Sequence, residues 1–508
     1  MKKALTIMCA SLLSLGVVSM VGCNSTSGTG NETADVVAKA SKMSLKELEE
    51  AAKAEMEASN DTFKVVGLTS TLARGLKKFC EIYTWLPAEK TYCNNGYKDY
   101  QLLTALDQAE QTYFADFALV QDARSLADYA ESGILHNYVP SDYAEMGLAE
   151  KDTLPLKGIH FNKIFFVNKT LGVDLHNIWQ LAGRDTDEGH LDNLSFQSPV
   201  TEQINMSFLL SLYDEANAPK LAAAYKKYYG KDFATSDWKD DKGKELYTTI
   251  GDCYVTTFIN NISVFHSSDG TAMKATQCQE VKVEGKDPFV YYGAFAKMKD
   301  AAAKNYDLDK DGKELYTSIG DCYVTTFINN ISVFHSSDGT AMKETQCKEV
   351  KVEGKDPFVY YGAFAKMKDA AGKTYDLDGD GTKETNAMTT VGWDLAIEGF
   401  NGFMYTMYSQ IVNNAKHPYT ACLYARFILT PEFYTSVMYS DSTPNKAGQA
   451  SNMYGYYYPC ASTTVGVNDN DWTKETWMQK SIIEDYNYLK TVKTAQITKI
   501  QSLIVSKK

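Results

Sequence analysis

The chain has 508 residues, of which 44% are hydrophobic, 12% aromatic and 23% charged. That suits a folded protein of two or three domains at about 150 residues each and excludes collagen-like, coiled-coil and mainly disordered chains. With 64 acidic against 51 basic residues the formal charge is −13, which repels phosphate backbones and removes nucleic acid from the expected partners.

Residues 1–22 carry Lys2 and Lys3, an apolar stretch from Ala4 to Val21, and Gly22 just before Cys23. This is the pattern of an export leader with a lipoprotein-type junction, so Cys23 is the expected lipidation site, with the protein held on the outer side of a bacterial membrane. A flexible tether of Ser, Thr, Gly and Asn is expected to follow, over residues 23–40. Beyond the leader, no uncharged apolar run is long enough to suggest a membrane span. Ten cysteines are present. With Cys9 in the leader and Cys23 lipidated, the rest can pair completely in an oxidising compartment. The simplest connectivity joins Cys80 with Cys93, Cys253 with Cys278, Cys322 with Cys347 and Cys422 with Cys460, and the alternative is buried free thiols.

Next in chain order, a helix is predicted over Leu45–Ala58, a strand over Phe63–Gly67 and a helix over Ala73–Ile82. Strands are predicted at Phe114–Val120 and Ile164–Val167, then a helix over Thr201–Tyr213. The segment from Lys244 to Gly312 reappears as Lys313 to Gly381 with six differing positions, a tandem duplication too short in copy number for a solenoid. Within a copy, Val255, Phe258, Ile259, Ile262 and Phe265 follow helical spacing up to Ser267-Ser268-Asp269-Gly270, and Phe289–Tyr292 reads as a buried strand. Strand and helix alternate, which argues for an α/β fold with mostly parallel sheets flanked by helices.

In such sheets ligands gather beyond the carboxyl ends of strands. Ser70 and Thr71, Gln121 and Asp122, and Ser198 and Thr201 occupy those places, although hydroxyls before a helix also serve as plain caps. Tyr291-Tyr292, repeated as Tyr360-Tyr361, offers either phenolates for a hard cation or an aromatic wall. Asp307, Asp309 and Asp311, repeated as Asp376, Asp378 and Asp380, match the opening of a calcium loop, but the closing Glu is replaced by Ser318 and Ala387. An acidic solvated turn is the other reading. No HExxH, GxSxG, Walker A or GxGxxG occurs, and His266 and His335 beside Ser-Ser-Asp read as helix-end residues, so no enzymatic activity is expected.

The lipoprotein junction, AAKAE, VVGLTSTLARG, ADFALVQDA, FNKIFFVNK and above all NAKHPYTACLYARFILTPEFY together resemble the extracellular solute-binding proteins of ABC importers. The nearest group is the family 1, iron(III)-type set with the type 2 periplasmic-binding fold. The resemblance spans about Leu45 to Tyr486; WQLAG, FQSP and EDYNYLK are similar to one branch, and the duplication is the departure. It implies two α/β lobes joined by a hinge: lobe 1 in 41–160 and 396–508, lobe 2 in 161–395. Crossings are implied near Asn162–Asn168 and Trp393–Phe403. It further implies a monomer that captures a small solute, Fe(III) through the paired tyrosines among the candidates, and presents it to a permease, with no required cofactor. A structural or adhesive surface lipoprotein working through its repeats is the alternative reading.

Overall fold

The computed structural model describes residues 32–97, 99–168, 173–192, 194–200, 202–266, 279–281, 289–291, 333–337, 347–350, 358–361, 374–375, 384–385, 391–392, 397–438, 456–462, 478–492 and 494–506. Among these, no helix is long and apolar enough to cross a membrane.

The N-terminal part alternates helix and strand: α1 (Glu32–Ala40), α2 (Leu45–Ala58), β1 (Phe63–Val66), α3 (Ser70–Ile82), β2 (Thr91–Asn94), α4 (Asp99–Leu106), β3 (Phe117–Val120), α5 (Ala123–Glu131) and β4 (Leu135–His136). Local chemistry sets the helix starts. Ser44 and Glu47 form a reciprocal capping box for α2, and Asp122 accepts the Arg124 N–H at the head of α5. The expected tether is corrected at its end, because Thr33, Val37 and Ala40 line one face of α1 and are buried.

The middle of the chain holds β5 (Lys157–Asn168), β6 (Leu194–Gln197), α6 (Gln203–Ser211), α7 (Ala218–Tyr229), α8 (Ile250–Asn261), β7 (Ile262–His266), β8 (Gln279–Val281), β9 (Phe289–Tyr291), β10 (Val333–Ser337), β11 (Cys347–Val350), β12 (Phe358–Tyr361), β13 (Thr374–Tyr375), β14 (Glu384–Thr385) and β15 (Val391–Gly392). Here the helical spacing misled: α8 stops at Asn261, and Ile262–His266 is strand. The β-branched Ile262 and Val264 with Phe265 suit a pleated surface better than a fourth helical turn. The chain closes with β16 (Gly402–Val412), α9 (Pro418–Ile428), β17 (Tyr456–Tyr457), β18 (Ser481–Ile483) and α10 (Thr494–Ser506).

The main sheet runs β11-β12-β15-β5-β16-β3-β1-β2. β1 is parallel to β2 and β3, and β6 is parallel to β7 and β10. The α/β class therefore holds, with parallel strands in two groups and an antiparallel centre. There β5 and β16 run side by side from Gly402 opposite Ile164 to Tyr408 opposite Lys157. β16 then continues against β3, and β5 against β10 and β15. All of β16 is buried, so this pair is covered on both faces.

The two copies of the repeat divide the work. The first supplies α8 and β7; the second supplies β10, on the other side of β6 from β7. The second also supplies β12, which joins the sheet through β15, whereas β9 of the first pairs with β8 in a separate ribbon.

Aromatic side chains dominate the core. Tyr424 meets Phe63, Phe79 and Phe117 edge-on at 5.0–6.1 Å, and Trp179 meets Tyr225 and Tyr254 at 4.9 and 5.1 Å.

The NAKHP segment is structural. The Lys416 and His417 N–H groups both donate to Asp116 Oδ1, at 2.8 and 2.9 Å, and Pro418 opens α9. The free N–H groups of Tyr419 and Thr420 donate to Glu55 of α2, at 3.0 and 2.9 Å.

Candidate functional site

The antiparallel pair β5 and β16 forms a floor with two polar faces. Opposed residues share a face, so Lys163 lies with Phe403, and Phe161 with Tyr405. His160 with Thr406 and Asn162 with Met404 lie on the other.

On the first face the carboxyl ends of β3 and β6 meet. Gln121 Nε2 donates to Glu202 Oε1 at 3.2 Å, and Lys163 Nζ lies 3.9 Å from the same oxygen. Arg124 donates to Gln203 Oε1 at 2.6 Å. The Glu202 N–H donates to the carbonyl of Ser198, which is fully buried. Asp122, also buried, accepts the Ser125 hydroxyl at 2.6 Å. Gln121, Asp122 and Ser198 are thus drawn into one network, together with Lys163, Arg124 and Glu202, which sequence reasoning missed. Ser70 and Thr71 serve their own helix instead. Thr69 caps α3 through the Thr71 N–H, the Thr71 hydroxyl accepts from Arg74, and Ser70 is exposed.

Several expected residues fall elsewhere. Tyr360 and Tyr361 lie on β12 in the main sheet, and Tyr291 lies on β9 in the ribbon. Thr201, Tyr292, the aspartates Asp307, Asp309, Asp311, Asp376, Asp378 and Asp380, and Cys23 lie outside the described residues. Among the described residues no group of three His, Cys, Asp or Glu is placed to hold a metal ion.

Three of the four disulfides are corrected. Cys80, Cys93, Cys253, Cys422 and Cys460 are free thiols. The Cys80 thiol lies beside the Thr91 side chain, two positions and about 6.6 Å along β2 from Cys93. Cys460 donates to the Leu429 carbonyl at 3.7 Å, seven residues and about 10 Å along the helix axis from Cys422. Cys278 and Cys322 lie outside the described residues.

Beside the floor, on the face of His160 and Thr406, a cavity of about 580 Å³ opens. One wall comes from the segment before β5 and from Tyr458–Ser462, and the other from Asp214–Asn217 and Ile483–Asn487. His160 Nδ1 is 2.9 Å from Thr406 Oγ1, and Lys157 pairs with Asp152 at 2.7 Å. Glu484, just after β18, lines the cavity and is 4% exposed. Its Oε2 accepts the Thr406 N–H at 3.0 Å and the Tyr408 hydroxyl at 2.9 Å. Burial pushes its carboxyl up to about 8, against those two hydrogen bonds, with Asp122 adding to the rise and Lys157 opposing it.

The folded chain therefore keeps the Glu484 proton at neutral pH, whereas the unfolded chain releases it near 4.5. This stabilising contribution is fully present below the unfolded value and is lost as pH rises through about 8, on the order of 5 kcal/mol in all. Glu484→Gln should flatten that loss. Urea denaturation at pH 5 and pH 8 should show the wild type weakening relative to the variant; parallel curves would show Glu484 ionised throughout.

No family model and no curated protein matches the chain. Solved structures do. An ABC transporter substrate-binding protein from Bradyrhizobium japonicum USDA 110 is similar at 9% identity over 88% of this chain and 100% of that one, with a TM-score of 0.44. An ABC transporter protein from Clostridium perfringens ATCC 13124 is similar at 9% identity over 87% and 100%, with a TM-score of 0.43. A ferric binding protein from Campylobacter jejuni is similar at 10% identity over 87% and 98%, with a TM-score of 0.43.

Proposed function

We propose that this chain is a lipid-anchored solute-binding protein that captures a small solute between two lobes and hands it to an ABC-type import permease. The single observation that carries this reading is the cavity floored by β5 and β16, because those strands pair along their length and then diverge into separate groups of parallel strands. Two strands crossing between lobes form a natural hinge, and a solute touching both walls favours the closed state. The hydrogen bonds from Gln121 to Glu202 and from Arg124 to Gln203 join the two groups on the opposite face of that floor. The order of motifs up to NAKHPYTA supports the same reading. Lobe 1 comprises 41–160 and 396–508, and lobe 2 comprises 161–395. Fe(III) held by Tyr291, Tyr292, Tyr360 and Tyr361 is one candidate solute, since phenolates suit a hard cation.

The test is mass spectrometry of small molecules released from the purified full chain, followed by thermal shift with the compound found. One solute with a saturable shift and no turnover supports the receptor; turnover, or no solute at all, overturns it. The anchor is tested separately. Cys23→Ser should abolish fatty-acid labelling and release the protein from membranes, and unchanged labelling would refute lipidation at Cys23.

A further inference from the structure

The chain does not end in the lobe to which its motif order assigns it. β18 lies along β16, with Ser481 beside Gly402, and Lys220 of α7 donates to the Ser481 carbonyl. Glu484 follows and is tied to the floor. Its N–H donates to the Met404 carbonyl at 2.8 Å, and its side chain holds the Thr406 N–H and the Tyr408 hydroxyl. A single helical turn, Tyr486–Leu489, then lies between α5 of lobe 1 and α6 of lobe 2 and touches both. The Tyr486 ring sits 6.2 Å from that of Tyr408, where β16 runs beside β3. Two residues on, the Tyr488 hydroxyl donates to the Leu210 carbonyl of α6 at 3.3 Å. Beyond this turn α10 packs on α6 and α8 with Ile500 and Ile504 buried, and Lys499 pairs with Asp252 of α8. Ile483, Glu484, Asp485, Tyr486 and Asn487 line the cavity, so the segment that touches both lobes is also part of the wall.

We infer that residues 484–506 form a strap that crosses between the lobes and limits how far the cavity walls can part. The inference rests on the receptor reading and deepens it by adding a third connection beside β5 and β16. It makes α10 part of lobe 2, because its neighbours α6 and α8 flank β6 and β7. The strap is short. Four steps of chain separate Glu484 from Tyr488; wound as a helical turn each advances about 1.5 Å, and fully extended about 3.5 Å, so the strap yields roughly 8 Å before it pulls on its ends. Those ends are unequal in strength. The floor end is a buried residue with three hydrogen bonds, whereas the lobe 2 end relies on the Tyr488 hydroxyl, two buried isoleucines and an ion pair whose lysine is half-buried. The strap should therefore release at α10 first.

The test compares the full chain with a chain ended after Val492 and with the double variant Tyr488→Phe, Lys499→Met, by small-angle X-ray scattering and hydrogen exchange. The shortened chain is expected to stay folded, since α10 buries only Ile500 and Ile504. Although shorter, it should have a larger radius of gyration than the full chain. Its amides in Tyr486–Leu489 and in the first turns of α5 and α6 should exchange at least about ten-fold faster. The double variant should move both readouts the same way by less, and it decides the matter if the shortened chain unfolds. A lower melting temperature with the radius and the exchange unchanged gives α10 a packing role alone and overturns the inference. Because the solute is sought separately by mass spectrometry, that outcome leaves the receptor standing. The absence of any solute removes the receptor reading, and with it the strap's role at a binding cavity, whatever the scattering shows.

Discussion

Asp116→Ala should destabilise the protein by on the order of 5 kcal/mol. Asp116 is fully buried between β1, β3 and the start of α9. Its Oδ2 accepts the Lys64 N–H at 2.7 Å and the Tyr113 hydroxyl at 2.9 Å, and its Oδ1 accepts the N–H groups of Lys416 and His417 at 2.8 and 2.9 Å. Alanine leaves three backbone donors without their acceptor at once, one of them on the fully buried His417. At about 1–3 kcal/mol each, the loss is on the order of 5 kcal/mol, a large part of a typical total of about 5–15. Asp116→Asn should be nearly as damaging, because its amide group turns a donor toward donors on one side or the other. Tyr113→Phe removes one hydroxyl and should cost only about 1 kcal/mol. Urea denaturation of the three variants gives the comparison. If Asp116→Asn denatures at the wild-type midpoint, the carboxylate is not the tie between α9 and the sheet.

That same cluster shows what could be read in the sequence and what could not. Local signals were legible: Ser44 with Glu47, Pro418 opening α9, the apolar Phe117–Val120, and the rule that strand ends gather polar residues, which brought Gln121, Asp122 and Ser198 together. Partners distant in sequence were not. Asp116 meets His417, Gln121 meets Glu202, and Glu484 meets Thr406, and nothing in a single sequence distinguishes Glu202 or Glu484 from a solvated surface carboxylate. The apolar pattern predicts only Ile164–Val167 of β5 because Lys157, His160, Asn162 and Lys163 interrupt it. They are tolerated inside because β5 is central to the sheet and its polar groups meet partners such as Asp152, Thr406 and Glu202. Cysteine counting failed for a different reason: parity allows pairing, but only geometry decides it.

The duplication gives the second large effect. Deleting Lys244 to Gly312 joins Gly243 to Lys313 and should leave a folded protein with a single cooperative transition. The reason lies in how α8 is held. Thr249 caps it through the Asp252 N–H, Gly251 lets its first turn press on the Leu212 carbonyl, Asp252 pairs with Lys499, and Tyr254 stacks on Phe258 at 5.9 Å against Trp179. The second copy carries each of these as Ser318, Gly320, Asp321, Tyr323 and Phe327, and Ser318 caps a helix as well as Thr249. What the shortened chain cannot do is place the same strand on both sides of β6. Among the described residues β7 pairs with β6 alone, whereas β10 pairs with both β6 and β5. The strand of the remaining copy should follow its helix straight into the place of β7 beside β6, as α8 runs into β7 without a linker, and the stretch of β5 that faces β10 becomes the edge. The cost is one short edge strand, and the expected melting temperature is within a few degrees of the full chain. Hydrogen exchange should show Val333–Ser337 still protected. Loss of cooperativity on deletion would mean that both copies are needed to close the sheet.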